Sequence, residues 1–151
     1  MSSTWNYRIA VYLLDSHKRR VLLMKAEDGI YKGKFIPFTF PLPQNKFPQE
    51  LLQEYFKEKF NVSIEFIFHD SSLPAVLDSN TIQTIAPYFT QISKTATGPA
   101  VIDFVYLAFS TSAFKVENPT LSWCLAEDLV GRIAPKHVKR TVKHILKINQ
   151  T

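Results

Sequence analysis

Apolar and polar positions along the chain fall into short runs with two periodicities. Tyr7–Asp15 and Arg20–Ala26 are apolar stretches rich in β-branched and aromatic residues, which predicts two strands. The polar Ser16-His17-Lys18-Arg19 between them has hairpin length and places His17 in a solvated turn. Lys34–Phe40 is again strand-like, and Pro41, Pro43 and Pro48 then break regular structure. Residues 48–60 change period: Leu51, Leu52, Tyr55, Phe56 and Phe60 form one apolar stripe at helical spacing. Pro48 suits the first helical position, and Asn61 suits a left-handed stop. Glu50, Glu54 and Glu58 share another face, with Lys57 beside them as a partner. Val62–His69, Thr81–Ile92, Val101–Ser110 and Leu121–Leu125 read as strands, with Pro87 marking a bulge or an edge. Ala126–Ile133 predicts a short helix, and Lys136–Ile148 a longer one with Val138, Val142, Ile145 and Leu146 facing inward. Strands with two or three helices predict an α/β or α+β sandwich in one domain spanning 1–151.

Composition is consistent with that pattern. The chain has 151 residues, and 46% of them are apolar, enough to build one sizeable core. The single cysteine, Cys124, makes no internal disulfide, and no Cys/His cluster has zinc spacing. Cys124 beside Trp123 reads as a small buried hydrophobe. No apolar run is long enough to cross a bilayer, and Met1–Asn6 lacks the basic and apolar regions of a secretory signal. These features predict a soluble chain of a reducing compartment, the cytoplasm, with no membrane partner.

The net charge of +5 is unevenly placed. Residues 129–151 hold six Lys/Arg and no acid, whereas the other 128 residues are close to neutral. Such a segment could touch RNA, DNA or an anionic membrane surface. The plainer reading is the solvated face of an amphipathic helix, with cations favoured near its C-terminus. Charge reversal at Lys139, Arg140 and Lys143 separates the two, since only an RNA footprint would be lost.

Several chemical motifs are missing: no GxGxxG, no GxxxxGK[ST], no GxSxG and no HExxH occurs. His17, His69, His137 and His144 are scattered without a close cysteine or carboxylate. What is present is an order of parts: a strand hairpin, Gly33-Lys34-Phe35, a proline-started helix ending in Asn61-Val62, then Asp103-Phe104-Val105-Tyr106, Ser122-Trp123 and Glu127-Asp128-Leu129. That order resembles the Nudix hydrolases over nearly the whole chain. The resemblance implies an α/β/α sandwich with a mixed sheet. The family's box, Gly-x5-Glu-x7-Arg-Glu-U-x-Glu-Glu-x-Gly-U, falls without gaps on Phe40–Val62. Pro48 and Leu51-Leu52 then take positions that in the family often hold proline and paired alanines, and Phe56 and Val62 take the two bulky U positions.

Departures fall on the positions that carry chemistry. Phe40 replaces the first glycine, Lys46 the early glutamate and Glu54 the arginine. The three helix glutamates that hold magnesium or manganese in the family become Tyr55, Glu58 and Lys59. A hard divalent ion needs several oxygen ligands, and an ammonium among them repels it. A register shifted by one residue retains Glu54 and Glu58 as carboxylates but puts Phe60 on the glycine and Asn61 on a U position. Glu58 is therefore the catalytic candidate. Arg8, Phe35, Glu54, Tyr55 and Lys59 are the ligand-binding candidates, with Lys59 able to meet a phosphate as a point charge. Three readings follow. One is a binding or regulatory module for a nucleotide-like ligand, without a resident metal. Another is a hydrolase of nucleoside diphosphate derivatives, using magnesium or manganese on Glu58 with Glu54 or Asp103. The third is an interaction protein, a homodimer or a docking partner.

Overall fold

The chain was described as a computed structural model, which covers residues 6–67, 87–94, 98–130 and 134–149. Its centre is a parallel pair. β1 (Asn6–Leu14) runs beside β7 (Val101–Ser110) in continuous register from Asn6↔Val101 to Leu14↔Phe109. Both strands are apolar along most of their length because both faces are covered, as central strands require. β2 (Val21–Lys25) pairs antiparallel with β1 and carries β3 (Phe35–Ile36) and β8 (Leu121–Cys124). β4 (Phe38–Pro41) also pairs with β1, while β5 (Ile64–Ile67) and β6 (Phe89–Ser93) pair with β7. The described residues thus form a mixed sheet of eight strands.

Alternation along β1 divides the core in two, since successive side chains of a strand point to opposite faces. Ala10, Tyr12 and Leu14 join Val138, Val142, Ile145 and Leu146 of α2 (Lys136–Ile148) on one face. Ile9, Val11 and Leu13 join Leu52 and Phe56 of α1 (Pro48–Phe60) on the other. The architecture is an α/β/α sandwich. Burial of a side chain such as Phe56 or Leu52, each fully enclosed, contributes about 1.5–3 kcal/mol.

Two boundaries differ from the sequence reading. The strand expected over Lys34–Phe40 is two, β3 and β4, because Pro37 lacks an N–H and the chain changes partner there from β2 to β1. The helix expected over Ala126–Ile133 is a single 3-10 turn, Glu127–Val130, fixed where the Leu125 N–H donates to the Asp128 carboxylate at 2.8 Å. Its end at 131–133 lies outside the described residues, as do 68–69 and 81–86 of two expected strands and the cation Arg132. No described helix is long and apolar enough to cross a membrane.

Candidate functional site

Register builds the site. Arg8 of β1 lies opposite Asp103 of β7, and Gln91 of β6 lies opposite Asp103 from the other side. Three strands therefore put three polar side chains in one row on the α2 face of the sheet. The Arg8 guanidinium donates to Asp103 through Nε at 2.9 Å and through a terminal nitrogen at 3.0 Å. Gln91 Nε2 donates to the same carboxylate at 3.2 Å. This fork is the bidentate geometry in which an arginine–carboxylate pair is strongest. Asp103 is buried, and three donated hydrogen bonds offset its loss of water. Arg8 remains partly exposed, and two of its five N–H donors are committed to Asp103.

The row forms one wall of a cavity of about 660 Å³. Tyr12 of β1, Val105 of β7, the loop at residues 26–31 and His137 of α2 complete it. Tyr12 is 1% exposed, and its hydroxyl has no hydrogen-bond partner. Burial pushes that hydroxyl well above the usual phenol range; the nearby Thr141 hydroxyl, committed to the His137 carbonyl at 2.7 Å, opposes the shift and Asp103 adds to it. His137 packs its ring on Tyr31 at 5.4 Å between centroids. Burial pushes the imidazole below its usual value, against a smaller opposite pull from Asp103. It is neutral at pH 7.

The helix residues singled out in the sequence lie elsewhere. α1 covers the opposite face of the sheet, so Glu58 and Asp103 stand on different sides of the β-layer. Glu54 and Glu58 border a shallow groove of about 390 Å³ with Lys57, Ser63 and Ile64. Lys59 is exposed and lines neither space. Tyr55 is packed edge-on against Phe38 and Phe40, at 5.8 Å and 4.8 Å, and burial raises its hydroxyl. Phe35 packs against the core on the α2 face without lining the cavity. Of the residues expected to bind ligand, the structure brings Arg8 alone to the cavity wall.

No protein-family model matches the sequence, and no curated protein matches it. Solved structures do. A NUDIX-family hydrolase from Clostridium perfringens is 19% identical, with 98% of this chain and 99% of that one covered and a TM-score of 0.68. The Ap4A hydrolase of C. elegans is 12% identical over 98% of this chain and 100% of its own, with a TM-score of 0.62. The NUDIX domain of Shewanella oneidensis NrtR, solved in complex with ADP ribose, is 13% identical over 99% and 91%, with a TM-score of 0.59. The chain has the Nudix fold.

In the ungapped register of the sequence reading, the family's box falls on the segment that ends in α1. Its left-handed terminal residue is Asn61, at φ 55° and ψ 40°, and Phe56 and Val62 are buried. The ungapped register places the box's glycine and its two U positions on those three residues. Lys46 and Glu54, which that register sets against the box's glutamate and arginine, form an ion pair. The hydrogen bond to Glu54 raises the Lys46 ammonium above its usual value. The donor set on α1 does not fit a divalent ion: Tyr55 belongs to the aromatic core and Lys59 is a cation. Among the described residues no three of His, Cys, Asp and Glu converge as metal ligands.

Tyr12, Gln91 and His137 carried no signal in the sequence. Tyr12 is one more aromatic in an apolar run, and His137 one more polar position on an amphipathic helix. Only their shared cavity distinguishes them. The basic segment reads plainly in three dimensions: Val138, Val142, Ile145 and Leu146 are core, and Lys136, Arg140, Lys143 and Lys147 are exposed. Packing of α2 accounts for that pattern without a nucleic-acid partner.

Proposed function

We propose that this chain is a Nudix-fold binding module for a nucleotide-like small molecule, held in the Arg8–Asp103 cavity and not hydrolysed by a metal-dependent route. The observation that carries the reading is the separation of the two sites. The large cavity holds an oriented guanidinium on the α2 face, whereas the box helix on the other face presents an unsuitable metal donor set. Its volume lies in the range of small-molecule sites. The NUDIX domain of similar fold from NrtR, solved with ADP ribose, supports a ligand of that class.

Each residue has a definite task in this reading. Asp103 and Gln91 fix the plane of the Arg8 guanidinium, so its uncommitted N–H groups are oriented before a ligand arrives. Tyr12 offers a buried donor, and the loop at 26–31 with His137 shields the ligand from water. Binding to such a module can serve regulation.

The test combines calorimetry with a turnover assay on the purified chain. Saturable binding of ADP-ribose or ADP is expected, weakened about 10-fold in Arg8→Lys, which keeps the charge and loses the fork. No hydrolysis of a panel of nucleoside diphosphate derivatives is expected with magnesium or manganese. Turnover that disappears in Glu58→Gln would establish the hydrolase reading instead. Absence of binding to every nucleotide would sink the module reading.

A further inference from the structure

We propose that the turn between β1 and β2 is a binding surface for single-stranded nucleic acid, at the end of the sheet away from the Arg8–Asp103 cavity. Arg8 and Leu14, where the turn begins, lie about 20 Å apart at the rise of a strand. The turn presents His17, Lys18, Arg19 and Arg20 in succession, and all but Lys18 are fully exposed. Asp15 holds it in one shape. Its buried carboxylate accepts the Arg19 N–H at 2.7 Å and the Arg20 N–H at 3.2 Å through Oδ1, and Arg20 Nε at 3.3 Å through Oδ2. Its carbonyl accepts the Lys18 N–H at 2.9 Å, and its own N–H donates to the Arg20 carbonyl at 3.0 Å. These five hydrogen bonds order the turn before a ligand arrives. Lys18 sits at φ 57°, in the left-handed region where glycine or asparagine is the usual occupant. Strain of this kind collects at binding sites.

Two of the cations cap rings. Lys18 Nζ stands 4.3 Å from the centre of the Phe109 ring, and the Arg20 guanidinium carbon 5.5 Å from that of Trp123. Phe109 packs on the α2 face of the sheet and Trp123 on the α1 face, so the turn straddles the sheet's end. An extended polyanion crossing that end meets both. Lys18 and Arg19 offer charge to successive phosphates. The Arg20 side chain is 49% exposed above Trp123 and leaves its outer plane to an unpaired base. Asp15 is satisfied inside the turn, and Glu65, opposite Phe109 on β5, sets one exposed carboxylate against three cations. Charge combined with guanidinium and ring planes favours nucleic acid over an acidic peptide, which brings charge without a base to stack.

Fluorescence anisotropy on the intact chain tests this with labelled oligo(U) and oligo(dT) of about 12 nucleotides and a duplex of the same length. Both single strands should bind, within about 5-fold of each other, and the duplex about 10-fold more weakly, because its bases are already stacked. A fourfold rise in salt should weaken single-strand binding about 20-fold, the slope for three phosphate contacts. Arg19→Glu leaves the turn's hydrogen bonds in place, so it should weaken binding about 10-fold at an unchanged melting temperature. Arg20→Lys keeps the charge, loses the plane and should weaken binding about 5-fold. Full affinity in either variant would overturn the inference, as would a duplex that binds as well as the single strands. An equal loss on charge reversal at Lys139, Arg140 and Lys143 would move the footprint to α2 and overturn it too. Displacement by polyglutamate as readily as by unlabelled oligo(U) would assign the turn to an acidic protein instead. Absence of binding to both single strands would remove the proposal.

Discussion

Arg8 shows how a single residue acquires a meaning that its neighbours in the sequence do not give it. It begins an apolar run and looks like an ordinary exposed cation at a strand end. Its partner Asp103 is 95 positions away, and only the parallel register of β1 and β7 brings them face to face. Arg8 was named as a ligand-binding candidate only through the family resemblance. Its fork to Asp103, the Gln91 hydrogen bond and the orphaned Tyr12 hydroxyl were not, since pairing across strands leaves no local spacing to read. The fork also sets an expectation for stability. Arg8→Met leaves a buried carboxylate held by Gln91 alone, and should cost about 1–3 kcal/mol. Urea denaturation measures this directly; a loss below about 0.5 kcal/mol would mean that water replaces the guanidinium fully.

Elements were more legible than residues, and for a physical reason. The helix over 48–60 combines a proline start, an apolar stripe and a stop residue, three local signals that agree, and the structure has it at Pro48–Phe60. Val101–Ser110 was equally plain because a central strand is apolar on both faces. Pro37 misled: its effect depends on which strand the chain pairs with next, a tertiary matter. Asn61 supplies the test at this scale. Its φ of 55° lies where a Cβ is disfavoured, and asparagine tolerates it better than most residues do. Asn61→Gly should therefore be neutral or slightly stabilising, whereas Asn61→Val should cost about 1–2 kcal/mol. Equal thermal stability of the two variants would show that the end of α1 relaxes out of the left-handed conformation.

At the scale of the whole molecule, the described residues hang two α-helices on one sheet, and α2 does so with an imidazole in its first turn. His137 stands near the positive end of the helix dipole, against Tyr31, in the wall that Tyr12 and Asp103 share. Burial holds it below the pKa of an unfolded histidine, about 6.5, and Asp103 offsets that only in part. The unfolded chain thus binds the proton more readily than the folded one. The stability this histidine contributes as a neutral group is complete above about pH 6.5 and is lost as pH falls through its lower folded value. The melting temperature should be flat from about pH 8 to 7 and decline from about pH 6.5 to 5. His137→Gln, which cannot take up a proton, should flatten that decline. A decline that persists unchanged in His137→Gln would assign it to other groups, and the docking of α2 would then be indifferent to protonation of its own first turn.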